Sequence, residues 1–265
     1  MFELNFKINK IYFYAQIIKQ YKSLGKQGKI LGTRLWKKSK IAYSIVSGVC
    51  YDQIIQNIVL ENLTIEKFSK NLRKNVKLTE EILNQELDSK EFREIYEETK
   101  GYKIKIEKQW EQNKKQVLRH LKDITGLKLP NRVLFVYLIH PALSDGRYWK
   151  NTEIDIITWG HSEDWENYTT VYLCHEIMHF LTKDYTGDKK ILHALIELVC
   201  DNELRIRLNQ SGGYFKEGRF RVGHKFLQKI EKKILPQWRQ YLRGREENKE
   251  NFVTFFKKID DKKRE

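Results

Sequence analysis

Residues Cys174 to Phe180 read CHEIMHF, with two histidines one helical turn apart and a glutamate directly after the first. On a helix at about 100° per residue, with His175 at zero, His179 lies near 40° and Glu176 near 100°, while Ile177, Phe180 and Leu181 fall between roughly 140° and 240°. One face therefore carries imidazoles and a carboxylate, and the opposite face is apolar. Such a helix needs a core on one side and a site on the other. With that spacing it can hold a zinc ion through His175 and His179 and set Glu176 beside it as a general base.

A catalytic zinc ordinarily takes three protein ligands and keeps one position open. The stretch ILHALIELVCDNELRIRL, from Ile191 to Leu208, reads as an antiparallel return helix after a break at Thr186-Gly187. It offers Glu197 and, one turn later, Asp201. Glu197 suits the third ligand position, and Asp201 suits a hydrogen bond to the outer nitrogen of a ligating histidine, which fixes that ring's tautomer. His193, one turn before Glu197, reads as a supporting or packing residue rather than a ligand. Cys174 and Cys200 turn off the ligand face and read as small buried hydrophobes.

HExxH followed in the next helix by ExxxD resembles the gluzincin metallopeptidases, the thermolysin-like group of zincins. Seventeen residues separate His179 from Glu197, and the resemblance covers about Arg132 to Leu208. It implies an active-site helix under a small sheet whose edge strand binds extended peptide. It also implies hydrolysis of a peptide or protein substrate, with Glu176 passing a proton from water to the leaving amine. An oxyanion donor, Tyr or His, completes such sites; Tyr214 and His224 rank level for it, with Tyr172 below them.

The rest of the chain reads as a predominantly helical α+β protein. Asn5 to about Tyr21 is an amphipathic helix or a strand leading into one, and Ser23 to Lys29 reads as a turn. Helical stretches follow at Leu31 to Val46, Tyr51 to Leu60, and from Leu63 on, the last of them, Ile104 to Ile124, stopped by Gly126. Arg132 to Ile139, RVLFVYLI, is a buried strand. Ser144-Asp145-Gly146 reads as a turn, and Glu153 to Trp159 as a second strand at a sheet edge. Ser162 stands where a cap for the HEIMH helix is expected. Pro236 reads as a break or kink, and Asp260 to Glu265 as a disordered tail. This divides the chain into an N-terminal helical region, 1–128, and a zincin-like domain with C-terminal helices, 129–265.

Three scattered cysteines are too few for a disulfide framework and read as reduced thiols of a cytoplasmic protein. No convincing signal sequence or membrane-spanning stretch is evident. The net charge of +15 is unevenly placed: residues 1–60, 61–130, 131–210 and 211–265 carry +8, +3, −4 and +8. The segment with HEIMH is the acidic one, and the basic ends carry no recognisable nucleic-acid module. A nucleic-acid-associated or regulatory protein with a zincin-like domain is therefore the second reading. A zincin that binds peptide without cutting it is the third, disfavoured by the presence of Glu176.

Overall fold

Two stretches far apart in the chain meet in one sheet. In the computed structural model, which describes residues 2–48, 70–150, 155–246 and 250–264, β1 (Glu3–Lys7) runs parallel to β2 (Val133–Leu138). Beyond β2 come β4 (Ile156–Gly160), also parallel, and then β3 (Asp145–Trp149), antiparallel to β4, in the order β1-β2-β4-β3. The β-branched and aromatic run of β2 is covered on both faces, as its composition requires. Leu134, Val136 and Leu138 enter one core, and Tyr137 and Ile139 enter another.

Helices clothe both faces, and the protein is mostly helical with a small mixed sheet. The second core gathers α1 (Lys10–Lys19), α2 (Gly25–Lys38), α3 (Lys40–Gly48) and α4 (Lys70–Leu87). The 36-residue α5 (Lys90–Thr125) serves both cores, through Phe92 and Ile95 at one end and Trp110, Val117 and Leu121 at the other. Ser89 caps its start, and Gly126 ends it in the left-handed region (φ 68°), as glycine does without steric cost. The first core also takes in α6 (Tyr168–Leu181), α7 (Lys189–Glu197), α8 (Arg205–Asn209), α9 (Gln228–Glu246) and α10 (Phe252–Arg264). Contacts thus cross residue 128: β1 lies beside β2, and α5 binds the two cores together.

Several local readings change. β3 forms one edge of the sheet, where a turn is expected from Ser144-Asp145-Gly146, whereas β4 is interior and wholly buried. Gly146 admits the Trp159 indole, since a Cβ there would lie 2.6 Å from that ring. Ser162 does not cap α6; Glu163 and Gln109 take the Thr169 and Thr170 N–H groups instead, because α5 runs alongside. α2 begins at Gly25 within the expected turn, α9 continues through Pro236, and α10 runs through Arg264 over the described part of the expected tail because its Phe252, Phe255 and Phe256 are buried. The helix expected at Tyr51 to Leu60 and the start of the strand expected from Glu153 lie outside the described residues. No helix among the described residues is long and apolar enough to cross a membrane.

Candidate metal centre

α6 is amphipathic in the sense its sequence demands. Ile177, Met178 and Phe180 are buried in the core, while His175, Glu176 and His179 turn towards α7 and the sheet edge. Asp201 takes His175 Nδ1 at 2.8 Å, leaving Nε2 of that ring turned to its neighbours. His179 Nε2 and His193 Nε2 each stand 3.2 Å from it. The three ring centroids are 4.9, 5.2 and 4.8 Å apart, close to an equilateral triangle.

Asp201 reaches His175 from an irregular turn. The helix widens to π geometry over Leu198–Leu204, directly after α7. A π turn leaves backbone groups without their usual partners, and the Asn202 amide satisfies one by donating to the Glu197 carbonyl at 3.0 Å. Asp201 is fully buried, and its Oδ2 has no hydrogen-bond partner among the described residues.

Glu176 is fixed from the opposite side. Its Oε2 accepts the Tyr148 backbone N–H at 2.6 Å, so edge strand β3 is tied to α6. Tyr148 is itself held, its hydroxyl donating to Asp155 at 2.5 Å, and Asp155 also binds Arg132 and Lys183. Burial raises the Glu176 carboxyl above its ordinary value, partly offset by the positive charge at His175 and the Tyr148 N–H. A carboxylate raised in this way is a better proton acceptor near neutrality.

Glu197 is buried and engaged by His224. Its oxygens accept the His224 backbone N–H at 3.1 and 3.0 Å, and the His224 Nδ1 also contacts Oε1. His193 Nε2 lies 3.8 Å from the same oxygen. Gly223 makes this approach possible: at φ 74°, a Cβ would fall 2.5 Å from Glu197 Oε2. Buried Arg205 fastens the loop from below, contacting Glu217 and donating to the Gly213 and Asp201 carbonyls.

These contacts divide the protonation states. Burial opposes protonation of His175, but the Asp201 carboxylate prevails and lifts it to about 9. Burial, with the charge of His175, lowers His179 to about 2 and His193 to about 3. The hydrogen bond to Glu197 raises His224. Histidine ligates as the neutral imidazole, so a metal ion binding here displaces the proton that His175 holds.

Of the residues singled out in the sequence, His175, Glu176, His179, Glu197, Asp201 and His224 come together. Tyr214 does not line this site; its hydroxyl donates to Glu203 at 2.6 Å and accepts from Trp238 at 2.9 Å. Tyr172 does, stacked on Trp159 with centroids 6.0 Å apart. A cavity of about 170 Å³ opens beside Glu176 and His175, walled by Trp159, Tyr168, Tyr172 and His224 and floored by Gly146 of the edge strand. Among the described residues, two compact donor groups result, His175-His179-His193 and His193-Glu197-His224. His193, which reads from the sequence as a supporting or packing residue, belongs to both groups; its place four residues before Glu197 puts it on the same helical face.

The chain matches no family model, no curated protein and no solved structure. Its chemistry is therefore read from its own geometry. The donor set fits a metal ion: three imidazole nitrogens converge, next to a carboxylate that is not itself drawn into the group.

Proposed function

We propose that this chain is a zinc-dependent peptidase with a zincin-like core. One observation carries the reading: Glu176, held by the Tyr148 N–H, sits between a cluster of metal-competent imidazoles and a cavity at the sheet edge. His175 and His179 hold the ion, and the helix that follows supplies a third donor. A zinc ion there supplies Lewis acidity, polarising a carbonyl and lowering the pKa of water.

The remaining work falls to the chain's own groups. Glu176 has one oxygen bound to Tyr148 and uses the other to accept a proton from the attacking water and return it to the leaving amine. His224, held through Nδ1 by Glu197, and Tyr172 both line the cavity and offer donors to the oxygen that gains charge. β3 is the outer strand on the side of Glu176 and the cavity, so an extended peptide adds to it by backbone pairing, with a side chain entering the aromatic cavity.

Digestion of a proteome-derived peptide library tests this reading. Wild type should cut and Glu176→Gln should not, while both retain zinc. Equal cutting by the two proteins, or none by zinc-loaded wild type, overturns it.

A further inference from the structure

We propose that His193, not Glu197, is the third protein ligand of the metal centre, so that three histidines hold the ion and Glu197 acts as the anchor of His224. The inference deepens the metal reading above and rests on it.

Ligand atoms round a tetrahedral zinc, at bond lengths of about 2.0–2.1 Å, are about 3.3 Å from one another. His179 Nε2 and His193 Nε2 each lie 3.2 Å from His175 Nε2, and the three nitrogens form one compact group. With His175 Nδ1 committed to Asp201, its Nε2 is the nitrogen turned to its neighbours. Three ring nitrogens that converge at this separation need a cation or a shared proton among them, and a metal ion meets all three at once, so the packing of α7 against α6 makes sense as a ligand arrangement.

Glu197 faces other demands. Both of its oxygens receive the His224 backbone N–H, and the His224 ring closes on Oε1. Gly223 brings the loop so close that no side chain fits between it and this carboxylate. Glu197 therefore groups with His193 and His224 rather than with His175 and His179. An all-imidazole set also leaves the ion its full positive charge, which a carboxylate ligand would partly neutralise.

Cobalt substitution in the Glu176→Gln background separates the alternatives without any reliance on turnover. Three histidines ligating through Nε2 keep three Nδ1–H protons, so the paramagnetic proton spectrum should show three far-shifted signals that vanish in D2O. His193→Ala should show two and bind cobalt at least about a hundredfold more weakly. Glu197→Gln should keep three and stay within about tenfold of the parent. To separate ligation from packing, His193→Gly is titrated with free imidazole, which should restore binding. Two signals in the parent, or loss of metal in Glu197→Gln with retention in His193→Ala, overturns the assignment alone. A parent that binds no metal overturns the metal reading beneath it.

Discussion

Asp201 reaches from the π-helical turn to His175 Nδ1 at 2.8 Å, and both side chains are almost wholly buried. The bond sets the ring's tautomer and leaves Nε2 for the cluster. Asp201→Asn retains the shape but removes the charge, and should weaken zinc binding by about 10–100-fold. Competition with a chelator measures this. Affinity equal to wild type would remove the orienting role assigned to Asp201.

Gly223 has φ 74° and stands against the Glu197 carboxylate. An alanine there is strained both by its backbone and by contact, and should cost about 2 kcal/mol of stability in urea unfolding. Since the strain displaces His224 more than His175 or His179, peptide hydrolysis should fall further than zinc content. Unchanged stability and unchanged hydrolysis would contradict the close approach.

Glu231, fully buried beside Asn202, has its carboxyl raised to about 9 by burial and by the nearby Glu197 and Asp201 charges. Its folded value exceeds its unfolded value, so the stability it contributes is complete below about pH 4.5 and is lost as pH rises towards 9. Glu231→Gln keeps the neutral form at every pH. It should match wild type near pH 5 and exceed it by about 2–4 kcal/mol near pH 8.5. Parallel unfolding curves with no pH-dependent gap would refute this.

Cys174 and Cys200 are fully buried, and burial pushes both thiols well above their ordinary range. In a Cys50→Ser variant, neither should react with a thiol-disulfide reagent at pH 8 while the protein is folded, and both should react in denaturant. A thiol that reacts at once in the folded protein would show that α6 or the π turn is open.

Some of this structure was legible residue by residue. The apolar back of α6, the stop at Gly126 and the burial of β2 follow from local patterns that tertiary contacts reinforce. Asp201 was legible as a partner for a histidine because it shares a helical face with Glu197, and the π turn keeps it pointed at His175. β3 was not legible: Ser144-Asp145-Gly146 reads as a turn, and the segment from Asp145 becomes a strand by pairing with β4, with a glycine where Trp159 needs room. The donor candidates separated only in three dimensions, Tyr214 turning to Glu203 and Trp238 while Tyr172 faces the cavity.

From the sequence alone came the helix with two histidines and a carboxylate on one face, because 3.6 residues per turn make that face a property of spacing. The tertiary structure decided which groups meet it. His193 and Glu197 share a face of α7, and only the packing of α7 against α6 brings His193 to His175 and leaves Glu197 to the loop at Gly223. Periodicity assigns a side chain to a face, whereas the distance between two faces depends on every residue packed between the helices.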